Sequence, residues 1–180
     1  QDSTGFMVSR AGHWGAARWQ LGFDGELSNT TLLEIQDRPT TDGSPAANAI
    51  RPAGRHYDYE VTGTSLAPWW SLDLPIGKTV TATLSLRAEW VRYQYDNRML
   101  SGNTAEDGTP CGSGGCLYSR PADRSNDFFD LAPRLGLSWK LSEDLTGWAS
   151  FSRGFRPPET TELYRLQRQQ NVADLKSETI

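Results

Sequence analysis

The sequence predicts an all-β chain, an antiparallel meander forming part of the wall of a large transmembrane β-barrel. Three observations carry this. Several stretches alternate apolar and polar residues with a period of two. The connections between them alternate strictly, short then long. No apolar run approaches the roughly 18 residues a spanning helix needs, and mean hydropathy is −0.58. Any crossing of a bilayer therefore falls to strands, which hide their apolar residues in alternation.

Residues 1–15 hold a strand tail and a turn around Ala11-Gly12 in this reading. Ala17 to Leu27 follows as a strand, with Ala17, Trp19, Leu21 and Phe23 on one face and Arg18, Gln20, Asp24 and Glu26 on the other. Ser28 to Arg55 is polar and rich in Pro, Gly, Asp and Asn, so it reads as a large loop. Tyr57 to Leu74 and Val80 to Tyr95 then form a hairpin across the turn 75–79. Pairing Leu74 with Val80 sets Leu72 against Ala82, Trp70 against Leu84 and Leu66 against Ala88.

Farther from that turn both strands change phase. Tyr57, Tyr59 and Val61 become the apolar set on one, and Val91, Tyr93 and Tyr95 on the other. A shared phase change predicts an environment boundary, with lipid outside near the turn and inward-facing aromatics beyond it. Trp90 suits an interfacial girdle. A long soluble hairpin with a bulge at the flip is the alternative.

Arg98 to Ser125 is a second large loop. In it, Cys111 and Cys116 bracket a glycine-rich run and suit a small disulfide ring in an oxidising compartment. Zinc or free thiols are the rivals, and no nearby His or further Cys completes four ligands. Phe129 to Leu141 alternates again, with a bulge expected at Pro133. The tight turn 142–144 leads to a return strand in which Leu141 faces Leu145, Leu137 faces Ala149 and Leu135 faces Phe151. Arg153 lies on the apolar face near its outer end, and Trp148 falls on the polar face. Pro157 and Pro158 stop that strand. A short helix is predicted over 159–170, docked through Leu163 and Leu166.

Catalytic signatures are absent: there is no Walker loop, dinucleotide turn, H-E-x-x-H or nucleophile elbow. His13 and His56 stand on different segments, and the carboxylate pairs Asp58/Glu60 and Glu143/Asp144 fall at a strand end and a turn. No enzyme activity and no cofactor are expected. A formal charge of −4 argues against a nucleic-acid partner. Binding is the better candidate. Arginines and aromatics gather in the long connections, and Tyr118, Arg120, Arg124, Arg156, Tyr164 and Arg165 are the candidate ligand-binding residues, suited to an anionic ligand bearing flat rings. The alternative is that such arginines face anionic lipopolysaccharide.

Residues 148–179 carry a further signal. Ser152, Gly154, Phe155, Arg156 and Pro158 precede Glu162-Leu163-Tyr164, then Asn171, Asp174-Leu175-Lys176, Glu178 and Thr179. This resembles the S-x-G-F-R-A-P, E-L-Y and N-P-x-L-K-P-E-T elements of TonB-dependent outer-membrane receptors. It departs from them at Pro157 and at Val172-Ala173. The resemblance covers about a sixth of the chain and implies a barrel of about 22 strands closed by a plug, in the bacterial outer membrane. It also implies lipid and lipopolysaccharide contacts, energy delivered by TonB through the plug, and uptake of a ferric siderophore or similar ligand. Haem receptors of this kind carry a His between the two motif halves, and none lies in 159–170. With no plug, no TonB box and no signal peptide, the chain reads as the middle of such a barrel. Its open edges make it a piece not expected to fold alone. A passive porin or adhesin barrel and a soluble β-sandwich module are the other readings.

Overall fold

The computed structural model describes residues 1–172 and 175–180. Its frame is one antiparallel sheet of six strands in meander order, β1–β2–β3–β4–β6–β7. They span β1 Asp2–Trp14, β2 Ala17–Gln36, β3 Gly54–Ile76, β4 Val80–Asn97, β6 Arg124–Lys140 and β7 Thr146–Ser152. Two small ribbons join the long connections. One pairs β5 (Tyr118–Ser119) with β9 (Leu166–Gln167), and the other pairs β8 (Phe155–Arg156) with β10 (Glu178–Thr179). Single-turn helices α1 (Pro45–Ala49) and α2 (Thr160–Tyr164) lie in the first and last long connections.

Strand length separates two halves of the wall. β3 has 23 residues, about 75 Å at the usual rise. Tilted by about 45°, it climbs about 50 Å, roughly twice the apolar band of an outer-membrane barrel. Leu66, Pro68, Trp70, Leu72, Leu74 and Ile76 share its outward face and climb about 25 Å of that height. On the same face stand Val80, Ala82, Leu84, Leu86, Ala88 and Trp90 of β4, then Phe129, Leu131, Pro133, Leu135 and Leu137 of β6, by register. Many are exposed here, among them Trp70, Leu135 and Phe129, as a lipid-facing band requires.

Above that band the apolar side changes over. Tyr57, Tyr59, Val61 and Tyr95 point to the inner face and are almost fully buried. The β3/β4 pairing keeps one phase from Tyr59↔Asn97 to Ile76↔Val80, leaving out only Ala67 and Pro68, so the strands keep their phase and the environment switches sides. The aromatics face inward, as the phase change predicts.

Several expectations are corrected. β1 runs unbroken to Trp14, and the chain turns at Gly15, whose φ of 59° suits glycine. β2 continues nine residues past Leu27, so the first long connection spans 37–53 rather than 28–55. Above the lipid band both faces of β2 meet water or loops, so the alternation that marks a strand fades. The β3/β4 hairpin closes more tightly, with Leu74 opposite Ala82 and Leu72 opposite Leu84. That is a slip of two residues, which leaves every side chain on its predicted face.

No bulge forms at Pro133, which stays in register opposite Leu86. Its carbonyl accepts from the Arg153 N–H at 3.1 Å, one residue beyond β7, so its missing N–H falls where the partner strand has ended. The bulge lies instead at His56, between Glu34↔Tyr57 and Ile35↔Arg55. The predicted helix over 159–170 is confined to Thr160–Tyr164. The β6/β7 register matches the predicted one, with Leu137 opposite Ala149 and Leu135 opposite Phe151.

One packing device recurs. Trp19 lies over Gly12, Trp69 over Gly22, Trp139 over Gly147 and Phe6 over Gly25, each directly opposite its glycine. A Cβ on Gly22 would sit 2.2 Å from the Trp69 ring. The glycines leave room for aromatic rings to lie flat across neighbouring strands, a cross-strand contact that ties them together.

Candidate functional site: the roofed tyrosine mouth

At the long-loop end the inner face carries an aromatic belt roofed by the 156–172 connection. All six tyrosines of the chain belong to it. Tyr57, Tyr59 and Val61 come from β3, Tyr93 and Tyr95 from β4, Tyr118 from β5 and Tyr164 from α2. Leu163, Leu166 and Val172 close the cluster from above, with Leu32 and Phe128 at its margin. Leu163 and Leu166 are both buried, the first from α2 and the second from β9.

The roof is held by local chemistry. Pro158 cannot continue a ladder and precedes the N-cap of α2. Glu159 and Glu162 form a reciprocal capping box, in which the Glu159 N–H donates to Glu162 Oε2 at 2.7 Å. That bond first, and Arg156 second, hold the Glu162 carboxyl below its usual range. Tyr164 stacks on Tyr95 with centroids 4.3 Å apart, and its hydroxyl donates to Asn126 Oδ1 at 3.0 Å. Tyr57 donates to the Leu166 carbonyl. Arg165 reaches across to Glu34 at 2.7 Å and lies 6.0 Å from the centroid of the Tyr57 ring. Burial pushes the Tyr164 phenol above its ordinary value.

The Cys loop braces this roof. Cys111 and Cys116 are bonded, with Cα atoms 4.6 Å apart. The Cys116 N–H donates to the Asn103 carbonyl at 2.7 Å, and Gly115, at φ 76°, passes so close to Asn103 that a Cβ would sit 2.4 Å from its side chain. Beyond the ring, the Arg168 N–H donates to Leu117 O at 2.7 Å, and β5 pairs with β9. His56, turned inward by its bulge, stacks on Tyr118 at 3.6 Å and lies 3.8 Å from Glu34.

The predicted ligand-binding residues divide here. Tyr118 and Arg165 meet around Tyr57, Tyr164 packs on Tyr59 and Tyr95, and Arg124 shares Asn126 with Tyr164 through a 3.2 Å bond. Arg120 is buried and donates to the carbonyls of Leu100, His56 and Thr104. It is a strut for the Cys loop. Arg156 lies apart, where Glu159, Glu162 and Glu178 converge on it at 3.1, 3.2 and 3.3 Å.

The motif residues therefore act as a clasp. Phe155 and Arg156 pair with Thr179 and Glu178, and Gly154 exchanges backbone bonds with Ile180 at 2.8 and 3.0 Å. The Leu175 N–H donates to Val172 O at 3.2 Å, Asn171 lies at the surface, and Asp174 lies outside the described residues. Sequence reasoning missed Glu34 and Asn126, which secure the roof. Only their positions on extended strands reveal them. Among the described residues no His, Cys, Asp and Glu grouping could hold a metal ion.

An outward apolar band, an inner face that is polar in the lower half, short turns at one end and roofed long connections at the other are features of an outer-membrane barrel wall. A family model described as "TonB dependent receptor-like, beta-barrel" matches residues 2–180, and the chain belongs to that family. Its members are transport receptors of the bacterial outer membrane, in which a plug domain occupies the barrel and engages TonB. No curated sequence matches the chain.

Proposed function

We propose that this wall belongs to a receptor that takes up a ferric siderophore, or a similar anionic chelate with flat rings, using energy delivered by TonB through the plug. The observation that supports the ligand class is the tyrosine mouth with Arg165 and Arg124 at its margin. Tyr57, Tyr59, Tyr95 and Tyr164 are buried under the roof. The aromatic faces open to a ligand are those of the half-buried Tyr93, Tyr118 and Phe128, which with guanidinium groups suit an anionic chelate carrying aromatic rings. The Cys loop and α2 bring those side chains to the lumen side of the strands, where an incoming ligand passes. Arg120 is buried among carbonyls and Arg156 is held by three carboxylates, so both are left out of the contact surface, whereas Arg165, though paired with Glu34, keeps about half of its side chain exposed.

The test is growth of an iron-limited strain expressing the intact receptor, with uptake of labelled ferric chelates of catecholate and hydroxamate type. Uptake should stop when the proton gradient is collapsed. Arg165→Ala, which also frees Glu34, should reduce chelate binding about tenfold, an effect worth about 1.4 kcal/mol. Uptake that persists without the gradient would sink TonB energisation. Normal iron-limited growth after deletion of the gene, with no chelate bound, would sink the ligand class.

A further inference from the structure

Along β1 the outward face carries Phe6, Val8, Arg10, Gly12 and Trp14, in register with the lipid-facing residues of β2 and β3. Arg10 interrupts this apolar run. It stands opposite Leu21, which in turn faces Trp70, and lies five residues above the turn at Gly15. A tilted strand climbs about 12 Å over that length, which puts Arg10 inside the roughly 25 Å apolar band, in its periplasmic half. Its side chain is exposed, and its guanidinium has no hydrogen-bond or ion-pair partner among the described residues. A cation facing lipid at that depth is unfavourable unless an anion meets it. Beside it, toward the short turn, runs a groove of about 190 Å³ lined by Trp14, Trp19, Leu21, Trp70, Ser71 and Leu72. The Trp14 and Trp19 rings lie 5.9 Å apart, and Trp14 and Trp70 are 71% and 38% exposed, so the groove opens to the bilayer. Arg10 is the diagonal neighbour of Trp19 across the β1/β2 pair, which joins the cation and the groove into one surface.

We propose that this surface holds one phospholipid of the periplasmic leaflet, with its phosphodiester on Arg10 and one acyl chain in the tryptophan groove. Charge and depth choose the occupant. A tail alone would leave the guanidinium unpaired in the band. The long arginine stem lays its charge toward the nearer interface, where tryptophans mark the boundary and the phosphates of that leaflet lie. Lipopolysaccharide, in the opposite leaflet, is out of its reach. The groove is smaller than the roughly 300–1,000 Å³ of small-molecule pockets, which fits a length of a single chain. Two contacts to one molecule separate a held lipid from the passing lipids that touch the rest of the band. The inference rests on the barrel's place in the outer membrane and is independent of which chelate the receptor takes up.

The experiment reconstitutes the intact receptor in vesicles of phosphatidylethanolamine and phosphatidylglycerol whose acyl chains carry a photoactivatable diazirine. Crosslinks should concentrate on the peptides holding Trp14, Trp19 and Leu21 and those holding Trp70 and Leu72. Arg10→Gln should lower that yield about tenfold, the effect of one charged hydrogen-bonded contact. Trp14→Ala, which opens one wall of the groove, should lower it about fourfold, as for one buried methylene. Arg153→Gln, on the same outward face at the other leaflet, should change nothing. Heat-modifiable migration reports that each barrel remains folded, and native mass spectrometry of the detergent-extracted receptor should show one retained phospholipid that Arg10→Gln loses. Crosslinks spread evenly over the outward face, or a yield unchanged by Arg10→Gln, overturn the inference. Crosslinks that join this face to a second protein overturn it too and make the surface a protein interface.

Discussion

The two halves of the wall use opposite faces to bury apolar surface, and they use different aromatics to do it. In the lower half the seven tryptophans gather along the band. Trp14, Trp19, Trp70, Trp90 and Trp139 face outward, and only Trp69 and Trp148 face inward. In the upper half every aromatic of the inward belt except Phe128 is a tyrosine. The lower half needs no covering, because lipid covers it. The upper half stands in water on both sides, so it buries its inner face under its own loop. Indoles suit a membrane boundary. Phenols suit a protein-roofed cluster where hydroxyls find partners, as Tyr57 and Tyr164 do. A buried side chain in one half thus depends on loop closure, and in the other on the bilayer.

The sharpest way to break this contrast is at Tyr164. Tyr164→Ala should remove about 3–5 kcal/mol from roof closure and leave barrel insertion intact. Limited proteolysis of 156–172 should accelerate while heat-modifiable migration is unchanged. If both change together, the two halves are not independent.

Next comes an arginine placed on the outward face at two heights. Leu84→Arg, within the band, should cost about 2–4 kcal/mol, whereas Gln94→Arg, on the same face above it, should cost about 0–1 kcal/mol. Unfolding from lipid vesicles measures both, and equal costs would contradict the boundary.

A smaller effect is expected at the Cys loop. Cys111→Ser should loosen the connection by about 2 kcal/mol, the low end for so short a ring. Hydrogen exchange at Leu117 and Arg168 should rise while the six-stranded sheet is unaffected.

The smallest effect is on pH. Glu162 has its carboxyl held below the ordinary 4.5 by the Glu159 N–H and Arg156. A depressed carboxyl contributes stability present above its unfolded value and lost as pH falls through its folded one. Exchange protection at Leu163, whose N–H bonds Glu159 O at 3.0 Å, should therefore hold above pH 4.5 and fade only below it. Fading at higher pH would mean that another group controls the cap.

Parity along strands was legible in the sequence wherever one face met lipid. Alternating Leu and Trp placed the faces of β3, β4 and β6, and the β6/β7 register followed from its short turn. Where both faces met water or loops, as along residues 28–36 of β2, no periodic signal existed to read. The even slip at the β3/β4 turn shows the same logic. Periodicity fixes which face a residue takes but leaves shifts of two undecided, and only the ladder chooses among them. The disposition of the candidate site was less legible. Arg120, Arg156 and Arg165 look alike in sequence, and the structure makes one a strut, one a clasp and one the roof's tie to Glu34.

What the sequence by itself determined was the strand parity, the inward tyrosines beyond Trp90, the order of short and long connections, and the motif that marks the family. These are local or periodic properties, written in nearest neighbours and in residue type. What only the tertiary structure decided was which loops fold over the mouth, which arginines are already spent on carbonyls and carboxylates, and that Glu89 stands opposite Asp130. Each depends on pairing residues tens of positions apart, and that pairing is set by register, turn closure and burial acting together.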